Sequence, residues 1–192
     1  MLTWQGIKSS TSLEHLSLAR CMVGDDGARL VCEAVQGKPS IVWLDLSSCK
    51  LTAKCGEALH QLVSSQTAAR ENALWKAQLR EERPNSDLMG GLRRLTLNDN
   101  DLGDAVTRLV AALCEDKWIK VVDLQFCHLT DYHANGLLQA AGRNQSLALI
   151  DVRHNANLST LLVEKLNETV KINALATNGF VQSFPRVDSE QY

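Results

Sequence analysis

Aspartates recur in one sequence context at three places in the chain. Asp45, Asp123 and Asp151 each stand between two aliphatic residues, in the segments Leu-Asp-Leu, Val-Asp-Leu and Ile-Asp-Val. Two carboxylates brought together by a fold can act as a general acid and a general base. That chemistry also needs a site that excludes water and separates the two pKa values. The elements that carry these aspartates therefore decide what the side chains do.

The chain also has six cysteines, whose thiols could react or bind a metal, but none of them is in a C-x-x-C pair. Cys127-His128 with His133 has the residue types of a metal site, but the spacing matches no common ligand set. The motifs G-x-S-x-G, H-E-x-x-H, G-x-G-x-x-G and the P-loop do not occur in the sequence. We therefore predict no enzyme activity, no catalytic residue, no metal and no cofactor.

Composition narrows the class of partner. The chain has 192 residues, 45% of them hydrophobic, and its 20 basic and 22 acidic residues leave a net charge of −2. A chain with no basic excess is not expected to bind nucleic acid. No secretory leader and no apolar run of about 18 residues is present, so no membrane contact is predicted. We expect a cytoplasmic protein with reduced thiols, no small-molecule substrate, and proteins as its partners.

Five segments share the pattern L-x-x-L-x-L-x-x-(N/C). They begin at Leu13, Ile41, Leu92, Ile119 and Leu147. The pattern resembles the leucine-rich repeat. Apolar and polar residues alternate over positions four to six of each segment, which predicts a short strand. The apolar stretch after each turn predicts a helix. The predicted fold class is therefore α/β.

Repeated strand–helix units predict a curved stack. Parallel strands are spaced about 4.8 Å apart, whereas helices are about 10 Å thick, so a stack with strands on one side must bend. We predict a horseshoe-shaped solenoid of about five repeats with the strands inside. The intervals of 28, 27 and 28 residues resemble those of the ribonuclease-inhibitor-like subtype. The Asn or Cys at position nine is expected to serve buried backbone groups of the turn.

One interval is much longer than the others. The second and third segments start 51 residues apart in place of 28, which leaves 23 extra residues within the insertion, at about 66–91. Ala69, Ala73 and Ala77 recur every four residues, which predicts a long helix. Two alternatives stay open: the helix of that repeat runs on to Glu82, or a second helix follows a bend near Ser64. Arg83-Pro84 is expected to end the helical part.

The predicted domain boundaries follow from where the repeat pattern starts and fades. The leucine-rich-repeat domain is predicted at 1–172, and residues 173–192 are predicted to form a C-terminal cap turn and a flexible tail. The segment 2–12 is similar to the last helical turn of a repeat. We therefore expect either a fragment of a longer protein or a first strand that a partner covers.

Strand positions three, five and seven point to the predicted concave face. The residues predicted to bind a partner there are Trp43, Asp45, Arg94, Asn98, Asp123, Gln125, Asp151 and Arg153. Trp43 is the predicted apolar anchor. The alternative is a solvated face on which the carboxylates pair with arginines.

The insertion provides a second predicted partner-binding site, at Trp75, Arg80 and Arg83. Here the alternative is that Trp75 packs the long helix onto the domain.

The insertion also carries a family resemblance. The matching residues are Trp75, Leu79, Arg80, Arg83, Pro84, Asp87, Met89, Gly91-Leu92-Arg93-Arg94-x-Thr96-Leu97-Asn98-x-Asn100, Glu115-Asp116-x-Trp118, Asp123-Leu124-Gln125-x-Cys127-x-Leu129-Thr130 and Asp151-x-Arg153-x-Asn155. Together they closely resemble the family of the seventy-eight-kilodalton centrosomal protein, over roughly residues 2–166. The resemblance implies a leucine-rich-repeat domain that acts as a scaffold at centrioles and basal bodies in cilium assembly and adjusts a ubiquitin ligase. The coiled coil of that family is absent from this sequence.

Three functional hypotheses follow. The first is a non-catalytic protein–protein interaction scaffold of the centriole or basal body, with centriolar or ubiquitin-ligase components as partners. The alternative is a leucine-rich-repeat regulator of an enzyme such as a small GTPase or a ubiquitin ligase. The third is a purely structural piece of a larger assembly such as an axoneme.

Overall fold

The computed structural model describes residues 3–85 and 89–176 and consists of alternating strands and helices. The helices are α1 (Thr3–Ser9), α2 (Gly24–Gln36), α3 (Gly56–Gln78), α4 (Ala105–Glu115), α5 (Asp131–Arg143) and α6 (Thr160–Ala176). The strands are β1 (His15–Ser17), β2 (Trp43–Asp45), β3 (Arg94–Thr96), β4 (Val121–Asp123) and β5 (Leu149–Asp151), and a 3₁₀ turn at Ala53–Cys55 precedes α3. These elements form an α/β repeat fold, as the sequence predicts.

The five strands form one parallel sheet in chain order. Each strand pairs in register with the next, so the middle residues Leu16, Leu44, Leu95, Val122 and Ile150 form one row. The last four of these are at most 1% exposed. Because side chains alternate along a strand, the first and third residues of every strand lie on the opposite face of the sheet.

The helices cover the side of the sheet that holds this row. In α2 the buried residues include Ala28, Val31 and Val35, which recur at helical spacing and face the strands, whereas Leu30 is 36% exposed. Leu59 of α3 and Leu109 of α4 continue the same core. Each repeat thus buries its apolar strand and helix faces against its neighbours.

Position nine of the repeat satisfies turn backbone groups. The Asn100 side chain accepts hydrogen bonds from the backbone N–H groups of Cys49 and Leu51, both at 3.0 Å, and donates to the carbonyls of Leu46 and Leu97 at 2.9 and 2.8 Å. Each such asparagine therefore joins two consecutive turns.

The second asparagine repeats this arrangement. The Asn155 side chain accepts hydrogen bonds from the backbone N–H groups of Cys127 and Leu129 in the preceding turn, and it donates to the Leu124 carbonyl at 2.9 Å. At Cys49 and Cys127, which also occupy position nine, the thiol donates instead, as Cys49 Sγ does to the Leu18 carbonyl at 3.0 Å. The predicted role of position nine is thus seen at these turns.

Position eight of every repeat has a left-handed backbone. The residues are Arg20, Ser48, Asp99, Phe126 and His154, with φ between 51° and 61°. None of them is glycine, so each turn holds an L-residue in a conformation that is uncommon outside glycine. The recurring left-handed residue turns the chain away from the sheet toward the next helix.

The insertion lengthens one helix without disturbing the sheet. Helix α3 is continuous over 23 residues, about 35 Å, so the second alternative, with a bend near Ser64, is wrong. The helix ends at Gln78, four residues before the predicted end at Glu82. The chain turns at Glu81, whose φ is 59°, before it reaches Pro84.

The predicted boundary after residue 172 falls inside a helix. Helix α6 continues to Ala176, and Asn173 is buried. The Asn173 side chain donates to the carbonyls of Ala141 and Leu147 at 2.9 and 3.0 Å, which ties α6 to the preceding repeat. The domain therefore extends past the predicted boundary, and the rest of the predicted tail, 177–192, lies outside the described residues.

Candidate functional site: the open sheet face and the long helix

The side of the sheet opposite the helices brings the first group of predicted site residues together. We call this surface the open face. It consists of the first and third strand residues and the residues two positions after each strand: His15, Ser17, Ala19, Trp43, Asp45, Ser47, Arg94, Thr96, Asn98, Val121, Asp123, Gln125, Leu149, Asp151 and Arg153. All eight predicted concave-face residues belong to it.

Trp43 is engaged by neighbouring strands. Its indole N–H donates to Thr96 Oγ1 at 3.0 Å, and the Arg94 guanidinium carbon lies 4.5 Å from the ring centroid. His15 contacts the ring edge-on, with centroids 5.5 Å apart. Trp43 is therefore half-buried and holds β1, β2 and β3 together on this face.

Each aspartate of the open face accepts a hydrogen bond from the loop residue two positions on. Asp151 accepts from Arg153 Nε at 3.0 Å and Nη2 at 2.8 Å, and Asp45 accepts from the Ser47 backbone N–H at 3.0 Å. Asp123 accepts from Gln125 Nε2 at 3.2 Å. The predicted pairing of a carboxylate with an arginine is therefore seen at Asp151.

Burial dominates the electrostatics at the centre of this face. Burial raises the pKa of Asp123, and the charge of Asp151, its partner in the β4–β5 register, raises it further. The Gln125 backbone N–H and the Arg94 charge act in the opposite direction. Burial also lowers the pKa of Arg94, while Asp123 and Asp45 oppose that shift.

Exposure divides the residues of the open face into two groups. Arg94, Asp123 and Gln125 are 4%, 5% and 3% exposed, so they form a buried centre. The Arg153 side chain is 58% exposed and Leu149 is 36% exposed, so they form part of an accessible rim. The partner surface itself stays a prediction.

The second predicted site lies at the end of α3. Trp75 is 58% exposed and Leu79, four residues on, is 65% exposed. Arg80 and Arg83 are exposed as well. The alternative in which Trp75 packs the helix onto the domain is wrong, because most of that side chain is accessible.

Polar side chains fasten α3 to the loop that precedes β3. Arg70, 6% exposed, donates from Nε to the Gly90 carbonyl at 2.9 Å and from Nη2 to the Leu92 carbonyl at 3.1 Å. Gln66 accepts from the Leu92 backbone N–H at 2.9 Å. Gly91 has a φ of 105°, and a Cβ there would lie 2.1 Å from Arg70 Nη2.

A buried carboxylate from the next repeat completes this cluster. Asp116, 1% exposed, accepts from Thr67 Oγ1 at 2.6 Å and from the backbone N–H groups of Trp118 and Ile119 at 2.8 and 2.6 Å. Arg70 Nη1 lies 3.9 Å from Asp116 Oδ2. We call Gln66, Thr67, Arg70 and Asp116 the anchor cluster.

The anchor cluster was not predicted from the sequence. Gln66 and Arg70 are spaced by four residues, as on an exposed helix face, and only the glycine pair at 90–91 and the aspartate before Trp118 signal a close contact. Burial and the charge of Arg93 lower the pKa of Arg70 to about 10, and Asp116 acts against this shift. Arg70 therefore stays protonated at neutral pH.

Two kinds of feature are missing from the described residues, namely a metal-ligating cluster and a membrane-spanning helix. Within 3–85 and 89–176 no group of three His, Cys, Asp or Glu side chains is arranged to hold a metal ion. In the same part of the chain, no helix combines the length and apolar character needed to cross a bilayer.

Comparison with known proteins gives the class. A leucine-rich-repeat family model matches residues 9–32. The solved structure of leiomodin-1 actin-binding site 2 superposes with a TM-score of 0.72 at 7% identity, covering 91% of this chain and 88% of that one. Pig ribonuclease inhibitor is 28% identical over 152 residues, which cover 78% of this chain and 28% of the inhibitor. The fold is that of an α/β leucine-rich-repeat protein.

The closer sequence relatives give the family. The centrosomal protein of 78 kDa is 34% identical in mouse over 180 residues, 93% of this chain, and 37% identical in human over 153 residues, 79% of this chain. The chain belongs to the family of this centrosomal protein, which confirms the resemblance seen in the insertion. It spans 23% and 22% of the length of those two relatives.

Proposed function

We propose that this chain is a non-catalytic protein–protein interaction module of a scaffold at the centriole and basal body, acting in cilium assembly. The observation that carries the proposal is the identity of 34–37% to the mouse and human relatives, which are named as centrosomal proteins. The cytoplasm, and the centrosome within it, is the corresponding location.

The shape we propose for the stack suits this role. Short parallel strands on one side and thicker helices on the other favour the horseshoe curvature of the ribonuclease-inhibitor-like subtype, with about five repeats. The open face would then be the concave surface, which in solenoids is a common site of binding.

Two surfaces are proposed to contact partners. One is the open face, with its rim at Leu149 and Arg153. The other is the exposed end of α3, with Trp75 and Leu79 as apolar anchors and Arg80 and Arg83 beside them. The proposed partners are centriolar or ubiquitin-ligase components.

Proximity labelling in ciliated cells tests the proposal. The wild-type chain is expected to label centrosomal proteins. The variant Trp75→Ala/Leu79→Ala should lose the neighbours bound by the helix end, and Leu149→Ala/Arg153→Ala those bound at the open-face rim. Leu161→Ala/Ile172→Ala is the matched control, since these α6 residues are 60% and 67% exposed. A wild-type chain that labels no centrosomal protein refutes the proposed function.

A second candidate function is regulation of an enzyme such as a small GTPase or a ubiquitin ligase. The likeness to ribonuclease inhibitor, named as an inhibitor of an enzyme, favours it. Addition of the purified chain to GTP-hydrolysis and ubiquitin-transfer assays tests this function. Unchanged rates at saturating chain would exclude it.

A further inference from the structure

The centre of the open face holds a buried carboxylate with few donors. Among the described residues, Asp123 accepts hydrogen bonds only from Gln125, through the backbone N–H at 3.2 Å and through Nε2 at 3.2 and 3.3 Å. Among the salt bridges that join described residues, none includes Asp123. An ionised carboxylate accepts about four hydrogen bonds, so Asp123 has unused capacity.

The Gln125 side chain adds a second acceptor at the same place. Gln125 is 3% exposed, and its Oε1 has no hydrogen-bond partner in the part of the chain that the structure describes. Because Nε2 is directed to the Asp123 carboxylate, Oε1 is held in a fixed orientation beside it. A buried acceptor without a donor costs stability, so its presence calls for an explanation.

The equivalent positions in neighbouring repeats do not share this shortage. Asp151 is bound by Arg153 through Nε and Nη2, and Asp45 accepts from Ser17 Oγ at 3.0 Å and from Ser47. The repeat pattern therefore does not require the arrangement at Asp123.

The nearest basic residue on the face is held elsewhere. The Arg94 guanidinium stacks on the Trp43 ring, and Arg94 Nε donates to Thr96 Oγ1 at 3.3 Å. Arg94 acts on Asp123 through its charge but forms no salt bridge with it within 4.0 Å among the described contacts. A further donor to Asp123 or Gln125 would therefore come from outside this set of side chains.

We propose that Asp123 and Gln125 form a capture site for an arginine side chain of a protein partner. This inference rests on the proposed function and names what the open face recognises. A guanidinium carries five N–H donors and no acceptor, in a flat fork that can bind a carboxylate and a neighbouring amide oxygen together.

The surroundings of the pair suit such a side chain. Leu149 on the adjacent strand and Phe126 beside Gln125 are 36% and 47% exposed, and they offer apolar surface to the methylene stem. The Arg153 side chain at the rim is 58% exposed and donates to Asp151, so the rim beside the pair is polar.

The test is a ¹H–¹⁵N NMR titration of the 192-residue chain with N-acetyl-L-arginine methylamide. The Gln125 side-chain amide and backbone resonances are expected to shift. N-acetyl-L-citrulline methylamide has the same shape without the charge, and should bind at least about tenfold more weakly. The lysine analogue should also bind more weakly, because it lacks the fork.

Matched variants locate the site. Asp123→Asn keeps the shape and an acceptor for Gln125 but removes the charge, and should weaken arginine binding by about tenfold. Asp26→Asn, an exposed residue of α2, should leave binding unchanged. Equal binding of arginine and citrulline, or undiminished binding by Asp123→Asn, would overturn the proposal.

Thermal unfolding separates a binding role from a structural one. If the site serves a ligand, Asp123→Asn should unfold at the same or a higher temperature than the wild type, because a poorly solvated charge is removed. A lower unfolding temperature would mean that Asp123 stabilises the turn, and would overturn the proposal.

The two proposals can fail separately. Arginine binding by a chain that labels no centrosomal protein would refute the proposed function and support the capture site. Centrosomal labelling without arginine binding would refute the capture site alone.

Discussion

Replacement of Asp116 by alanine should be among the most damaging single changes in this chain. The substitution removes the acceptor of Thr67 Oγ1 and of two backbone N–H groups, those of Trp118 and Ile119. It also removes the carboxylate 3.9 Å from the buried Arg70 guanidinium. Three donors and one positive charge are then left buried, with nothing on the shortened side chain to receive them.

The size of the expected loss in the free energy of unfolding follows from the burial of Asp116 and Arg70. Removing one partner of a buried ion pair costs about 3–5 kcal/mol, because the other charge stays desolvated. Arg70 keeps its bonds to the Gly90 and Leu92 carbonyls, which places the expected loss for Asp116→Ala near the lower end, at about 3 kcal/mol. Asp116→Asn keeps an oxygen for the two backbone donors but loses the charge and the oxygen that accepts from Thr67 Oγ1, so it should cost less than Asp116→Ala, about 1–2 kcal/mol.

Urea unfolding followed by circular dichroism measures these losses. The matched control is Glu71→Ala, which breaks the surface pair Glu71–Lys117 at 2.8 Å, where the side chains are 47% and 69% exposed. Exposed pairs contribute about 0–1 kcal/mol. If Asp116→Ala destabilises the chain no more than Glu71→Ala does, the anchor cluster does not hold α3 in the way described.

Three further predictions concern single residues. Asn155→Ala should lower the free energy of unfolding by about 3–4 kcal/mol, because four buried backbone groups lose their partner. The control Asn157→Ala, at an exposed residue, should change it by less than about 0.5 kcal/mol. Equal losses for the two variants in urea titrations would contradict this prediction. Gly91→Ala should destabilise by more than about 1 kcal/mol in the same assay, because the left-handed backbone and the contact with Arg70 both oppose a Cβ; a neutral effect would be evidence against that contact. The pKa of Asp123 is raised in the folded chain, so its ionisation opposes folding, and wild-type stability should fall as pH rises from about 4 through the raised pKa. The stability gain of Asp123→Asn should grow over that range and then level off, and a gain independent of pH would disprove the assignment.

The sequence predicts the repeated part of the fold because each repeat uses the same local rules. One polar residue separates each of Leu44, Leu95 and Val122 from the next aliphatic residue, and this alternation is enough to place the strands and their register. Asn100 and Asn155 mark the turns because their amides serve backbone groups that are fixed by the repeat.

The candidate sites were harder to predict, because exposure depends on the tertiary contacts of a helix. Trp75 and Leu79 have the spacing of a packed helix face but are exposed, whereas Gln66 and Arg70 have the spacing of a solvated face but are buried. The spacing of residues along a helix shows which of them share a face, but it does not show whether that face packs against the protein or is exposed to solvent. The burial of Asp123 and Gln125 at the centre of the open face could likewise not be predicted from the sequence, since both residues occupy positions expected to be solvated.

The uninterrupted register between β2 and β3 has a consequence for how the length of α3 can vary. Leu44 and Leu95 pair across 51 residues of chain, and Leu16 and Leu44 across 28. Closing the longer loop costs only about 0.5 kcal/mol more chain entropy, since the cost grows with the logarithm of loop length. Turns of helix can therefore be gained or lost beyond Arg70 with almost no effect on assembly of the sheet. The end of α3 is a segment in which length and sequence can change while the rest of the leucine-rich-repeat fold forms as before.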